Sequence, residues 1–231
     1  MQYESVFPAR FLSRPNRFTA LCQLEDGTEA VCHVRNTGRC AELFCPGCRV
    51  WVQHTPSPTR KTAWTLLTVD KGGVLVNVDS LAPNKLFAEA VQTGLVTPSA
   101  LSRVEQMRPE VKLGSSRLDW QLTGPEGVLW CEVKGVTLEQ DGTALFPDAP
   151  TLRGLGHVET LHRLVNQGQR AMTAFLVQME GVRRFRPNTA AQPEFARALR
   201  EARDAGVEIV CCGCRVTPDS VTPSYRIPVE L

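Results

Sequence analysis

Apolar and polar residues alternate in short runs over the first sixty positions: FTALCQL, EAVCHV and CRVWVQH, set apart by EDGT, NTGRC and CPG. Period-two alternation bounded by DG and PG turn signals predicts half-buried strands. Beyond the polar, proline-rich TPSPTRK, which reads as a long exposed loop, AWTLLTVD and VLVNVDS add two more strands. Five strands in this length predict a small OB-type barrel over residues 1–80, an architecture that carries oligonucleotides or oligosaccharides on one face.

From residue 81 the period changes. LAPNKLFAEAVQTG places Leu86, Ala90 and Val91 at helical spacing and ends on Gly94, which predicts a helix. SRLDWQL, VLWCEVKGVTL and TALFP follow as strands, with TGPEG as the first reversal. A second helix runs through TLRGLGHVETLHRLVNQG on the stripe Leu152, Leu155, Val158, Leu161, Leu164 and Val165; then come strand RAMTAFLVQM, helix PEFARALREARDAG and strand GVEIVCCGCRV. Three hairpin-like strands followed by crossovers predict a mixed α/β sheet with helices on both faces over residues 81–231.

Composition narrows the classes little. With 42% hydrophobic and 22% charged residues the chain is an ordinary globular one, not collagen, coiled coil or a disordered tail. Net charge is only +2, which excludes a histone-like polycation but not a local basic groove. Residues 1–61 hold eight Lys/Arg against five Asp/Glu, while residues 81–231 balance at 17 each, so the basic surplus lies in the barrel. No apolar run approaches the roughly 20 residues of a membrane span, and MQYESVFPARFL lacks a secretory pattern, so the expected location is the cytoplasm. There the nine cysteines remain thiols; the CPGC pair Cys45 and Cys48, with Cys40 nearby, permits zinc, but structural thiols are the expectation. Trp51, Trp64, Trp120 and Trp130 fall within predicted strands, where core packing rather than base stacking is expected of most of them.

The most informative spacing is SRLDW followed by CEVKG. Glu132 and Lys134 lie two apart in one strand and share a sheet face. Leu129, Cys131 and Val133 supply the opposite, apolar face. If the hairpin register brings Asp119 alongside, two carboxylates converge next to one ammonium. Such a group can hold a hard divalent cation through oxygen while the lysine orients water or offsets charge at a phosphate. On spacing alone a cross-strand ion pair, worth about 0.2–1 kcal/mol, fits equally well.

NRF, HVRNTGR, PGCRVWV, NVDSLAPNKLFAEAV, EVKLGSSRLDW, CEVKGVTL, LFPDAPTLRGLGH and GQRAMTAFLV occur in order along nearly the whole chain. Together they resemble the sugar fermentation stimulation protein A family. The resemblance implies an N-terminal OB-like domain, a C-terminal domain similar to the PD-(D/E)xK nucleases, DNA binding and a regulatory role in maltose use. By position it makes Asp119, Glu132 and Lys134 the nuclease-like residues, with Mg²⁺ or Mn²⁺ on Asp119 and Glu132. Glu89 is the expected additional acid and Glu110 its rival.

Arg153 and His157, four apart on a helix, match the family's RG…H stretch and can contact phosphate or move a proton, unless they merely cap and pack the helix. Where the family has an acid before this RG, Leu152 stands here. His33, Arg35, Asn36, Thr37 and Arg39 form a basic loop suited to phosphate oxygens, unless Asn36 and Gly38 merely build a turn. Arg10, Arg14, Arg17, Arg183, Arg184 and Arg186 are further candidates for a phosphate surface, although scattered surface arginine is the commoner explanation of such residues. The expected activity is metal-dependent phosphodiester cleavage on DNA. The competing reading is a non-catalytic DNA-binding regulator of sugar metabolism, and a third is a carbohydrate-binding protein. A homodimer would suit a nuclease acting on both strands.

Overall fold

The computed structural model describes every residue except 37, 57–61 and 115. The N-terminal unit is built from β1 (Val6–Asn16), β2 (Thr19–Leu24), β3 (Glu29–His33), β4 (Arg49–His54) and β5 (Trp64–Lys71), with β6 (Val74–Asn77) as a hairpin continuation of β5. β1 pairs antiparallel with both β2 and β4, and β4 with β5. The ring closes where β3 meets β5 in parallel at Cys32–Trp64 and His33–Thr65. Closure removes free strand edges. Phe11, Cys22, Val50, Val52, Leu66 and Val69 fill its interior at 1% exposure or less.

The barrel therefore has the expected five strands but a different membership: β1 is in the ring and β6 extends it. VFPARFLSRPN carries Pro8 and Pro15 and shows little alternation, since the strand is bulged between Phe11 and Ser13 and again before Asn16.

After α1 (Ala82–Gln92) the chain lays down β7 (Gln106–Leu113), β8 (Ser116–Gly124) and β9 (Gly127–Val136) as an antiparallel meander. β10 (Leu138–Gln140), β11 (Thr143–Phe146) and β13 (Arg184–Pro187) make a small separate sheet. α2 (Leu152–Asn166), β12 (Arg170–Val177), α3 (Pro193–Ala205), β14 (Glu208–Thr217) and β15 (Ser220–Arg226) complete the main sheet in the order β15-β14-β12-β9-β8-β7. β9, β12 and β14 are mutually parallel, joined by the α2 and α3 crossovers. β7 escapes a pattern reading because it is a polar edge strand containing Pro109, a residue tolerated only at such edges.

α1 packs on one face of this sheet through Leu86, Phe87 and Ala90, against Leu129, Cys131 and Met172. α2 and α3 cover the other through Val158, Leu161, Phe195 and Leu199. Among the described residues no helix is long and apolar enough to cross a membrane.

The cysteines follow the layers. Cys22, Cys32 and Cys40 are buried with the barrel core, Cys211 lies under α2 and α3, and Cys131, Cys212 and Cys214 lie on the α1 side. Cys45 is exposed, and its thiol points to the Glu42 carbonyl while that of Cys48 points to Leu43. No cluster of three or more Cys, His, Asp or Glu side chains suited to a metal occurs among the described residues.

Barrel and sheet are joined by a buried polar seam. Asp79 accepts from Arg35 at 3.0 Å, from the Tyr3 hydroxyl at 3.3 Å and from the Leu81 amide at 3.0 Å. Gln178, at the end of β12, donates to Asn77 Oδ1 at 2.9 Å and to the Asp79 carbonyl at 3.1 Å. Arg35 is therefore a structural partner of Asp79, not an open phosphate contact.

Candidate active site

β8 and β9 pair from the Gly124–Gly127 turn to Trp120–Cys131. The paired ladder ends there, and beyond it Asp119 reaches β9 through its side chain. There the carboxylate of Asp119 takes two donors: the amide of Val133 at 2.8 Å and the side-chain amide of Asn84 at 3.2 Å. Asn84 belongs to the first turn of α1, and its own carbonyl accepts from the Trp120 indole at 2.8 Å. Sequence reasoning missed this residue; the only signal was an amide in the first turn of a predicted helix, which reads as ordinary end-of-helix chemistry.

On β9 the expected alternation holds. Leu129, Cys131 and Val133 join the core on the α1 side, while Glu132 and Lys134 both meet His157 of α2. Lys134 Nζ lies 2.5 Å from Glu132 Oε1 and 3.1 Å from His157 Nδ1. His157 Nδ1 also bonds Glu132 Oε1. Both contacts to the Glu132 carboxylate fall on Oε1. Its second oxygen, Oε2, is buried with no hydrogen-bond partner among the described residues, in a side chain only 2% exposed.

An unpartnered buried carboxylate oxygen is costly, about 1–3 kcal/mol or more for a charged group. The electrostatics differ between the two acids. Burial raises the Asp119 pKa, and repulsion from Glu132 raises it further. Burial also pushes Glu132 upward, but the hydrogen bond from His157 and the charge of Lys134 outweigh it and hold Glu132 below the usual glutamate range.

Two neighbouring carboxylates, one with an oxygen left open and the other reluctant to ionise, suit an additional positive charge between them. A magnesium-like ion is commonly held by one or two carboxylates, with water and phosphate oxygens completing its shell. The residues present fit such an ion.

The rival acids are placed differently. Glu89 lies five residues beyond Asn84 on α1, about 140° round the helix, and its carboxylate bonds the Met1 ammonium at 3.2 Å. It is not brought to Asp119. Glu110 stands across from Asp119, between the Pro109–Trp120 and Val111–Leu118 pairs of β7 and β8. Its φ of +53° is uncommon for a side chain of this size and marks local backbone strain. Its carboxylate pairs with Arg117 at the surface.

Of the residues read as nucleic-acid contacts, Arg153 is exposed and without a side-chain partner among the described residues, one helical turn before His157. His33 ends β3, half-buried. Asn36 accepts from the Gly38 amide at 2.8 Å, the expected turn. Arg39 is exposed, and its backbone amide bonds Asp148 at 3.2 Å. Thr37 lies outside the described residues.

Arg14 is not an open phosphate ligand. Its guanidinium donates to the carbonyls of Arg17, Asn36, Gly38 and Arg39 and lies 4.6 Å over Phe44, so it shapes the loop from beneath. Arg183, Arg184 and Arg186 are likewise engaged, by the Asp141 carbonyl, Thr143 and Glu230. Trp120 and Trp130 donate their indole N–H groups within the fold, to Asn84 and Gln169.

Between barrel and sheet lies a cleft of about 920 Å³, lined by Arg17, Asn36 and Arg39 on one side and Pro147 to Thr151 on the other. Its floor is Gly135, Val136 and Thr137, directly after Lys134 in β9.

Residues 81–220 match the family model described as "Sugar fermentation stimulation protein RE domain", and residues 12–78 match "SfsA N-terminal OB domain". A "Sugar fermentation stimulation protein homolog" of Desulfitobacterium hafniense (strain Y51) is 41% identical over 231 residues, covering 100% of this chain and 99% of that protein. One of Clostridium beijerinckii is 40% identical over 231 residues, covering 100% of each. Among solved structures, "The structure of Pyrococcus Furiosus SfsA in complex with Ca2+" superposes with a TM-score of 0.88 at 30% identity, covering 100% of this chain and 98% of that one.

Proposed function

The chain belongs to the sugar fermentation stimulation protein family, and from that premise we propose that it is a DNA-binding protein which cleaves phosphodiester bonds with a divalent cation, Mg²⁺ or Mn²⁺, at Asp119 and Glu132. The observation that carries the reading is the open Oε2 of Glu132, in a carboxylate otherwise immobilised by Lys134 and His157. The similar Pyrococcus furiosus protein was solved in complex with Ca²⁺, which supports a hard cation as the kind of ligand. When bound, such an ion polarises phosphoryl oxygens and lowers the pKa of water.

The chain's own residues do the remaining work. Asn84 and the Val133 amide hold Asp119 in one orientation. His157 and Lys134 keep one oxygen of Glu132 occupied, which leaves Oε2 free for a ligand. Lys134, beside the cleft floor, offsets negative charge that builds on a bound phosphate. The barrel loop around Arg39 supplies backbone contacts that position the polymer without reading its sequence.

The test is incubation of purified protein with DNA and RNA oligonucleotides in Mg²⁺ or Mn²⁺. Cleavage is expected, and Asp119→Ala is expected to abolish it while the protein stays folded. Full activity in Asp119→Ala would remove these residues from the mechanism. DNA binding with unchanged products after long incubation would favour a non-catalytic regulator of sugar use.

A further inference from the structure

The cleft between barrel and sheet bears on which form of nucleic acid reaches the site. Its roughly 920 Å³ lies within the range of about 300–1,000 Å³ typical of clefts that enclose small ligands. A duplex, whose major groove alone is about 12 Å wide, is too broad to enter such a space and can only lie across its mouth. A few nucleotides of one strand match the volume.

The walls carry the matching chemistry. Arg17 and Arg39 line the barrel side, both exposed. Neither guanidinium has a hydrogen bond or ion pair among the described residues. Asp148, the acid on the opposite wall, is directed at the Arg39 backbone amide and leaves those two cations free. Phe18, 50% exposed, follows Arg17 in the chain just outside the cleft lining and is an aromatic face of the kind on which unpaired bases stack.

Close backbone approach sets the shape of the cleft. A Cβ on Gly135 would fall 2.6 Å from Gln178 Oε1 and 2.7 Å from Pro83 Cγ, and one on Gly38 would fall 2.5 Å from Asp148 Oδ2. The Asp79 and Gln178 seam fixes barrel against sheet, so the cleft exists before any ligand arrives and little ordering remains to be done on binding.

We infer that this cleft takes a single-stranded segment of polynucleotide, its phosphates on Arg17 and Arg39, and holds it over Gly135, Val136 and Thr137, the residues that follow Lys134 in the chain. The inference rests on the nucleic-acid reading of the site and adds the strandedness of the substrate and the residues that select it.

Binding is measured by fluorescence anisotropy in EDTA, so that cleavage plays no part, with labelled oligo-dT, oligo-U and a DNA duplex of equal length. The single strands are expected to bind at least tenfold more tightly than the duplex, and the two single-strand arms distinguish DNA from RNA. Arg17→Ala/Arg39→Ala is expected to lose about tenfold in single-strand affinity. Its log–log salt slope should fall by about 1.4, at roughly 0.7 per phosphate contact on a single strand.

Ala149→Trp, which fills the cleft from the far wall without changing charge, is expected to weaken single-strand binding by a similar factor. A duplex bound as tightly as the single strands overturns the proposal, as does unchanged affinity and salt slope in the double-arginine variant. Single strands that bind as described but are never cut with metal would uphold the cleft and sink only the cleavage reading.

Discussion

Two buried carboxylates, Asp79 and Glu132, show how differently this chain treats the same chemical problem. Asp79 is fully enclosed, and both its oxygens are satisfied, one by the Leu81 amide and the other by Arg35 and Tyr3. Glu132 is almost as deeply enclosed, yet its partners crowd one oxygen and leave the other bare. Burial of a charge is tolerable when every lone pair is met. The first residue is complete as it stands and holds two units together. The second keeps one oxygen open, the position at which the proposed cation would bind.

Breaking the first group tests the contrast most severely. Asp79→Ala leaves Arg35 and Tyr3 without their acceptor and is expected to cost about 3–5 kcal/mol, the usual penalty for removing one member of a buried pair. For a chain of this size that is a fall in Tm of about 10 °C or more, read by calorimetry. The stabilisation expected on adding Mn²⁺, about 2.7 kcal/mol at a hundredfold excess over Kd and read as a rise in Tm, should survive in this variant. In Glu132→Gln that rise should vanish. An unchanged metal response in Glu132→Gln would erase the difference between the two carboxylates.

A smaller effect separates the rival acids. Glu110→Gln is expected to reduce cleavage at limiting metal by about tenfold, the lower end of effects seen for residues supporting a metal ligand. Glu89→Gln should leave it unchanged, and the reverse order would contradict the register that puts Glu110 across from Asp119.

The smallest effect concerns charge alone. The pKa of Asp119 is raised in the folded state by burial and by Glu132, so its ionisation penalises folding above the ordinary aspartate pKa and not below it. Asp119→Asn is therefore expected to be slightly more stable than wild type in metal-free buffer near pH 7. The gain is at most a few degrees, and it should disappear as the pH falls toward 4. Paired urea or thermal melts across that range would show it.

Much of this is legible in the chain. The alternation of Leu129, Cys131 and Val133 with Glu132 and Lys134 divides β9 between core and site as the structure does, and the spacing of Arg153 and His157 places the histidine on a helix that meets that strand. What cannot be read is pairing at a distance. Arg35 and Arg14 have the composition of phosphate ligands, but Asp79 and a ring of loop carbonyls claim them, and nothing local announces either partner. Asn84 escapes for the same reason, because its importance comes from Trp120 and Asp119 rather than from its neighbours. β1 and β7 escape because their prolines and polar faces imitate loops, although a barrel strand with bulges and a sheet edge both accommodate them.

The distribution of thiols gives the molecule a built-in clock. Cys45 is open to a labelling reagent, whereas Cys22, Cys32 and Cys40 are sealed in one unit and Cys131, Cys211, Cys212 and Cys214 in the other. Under mild denaturant, alkylation followed by peptide mass mapping would time the breathing of each half separately in the unmodified protein, with no probe introduced.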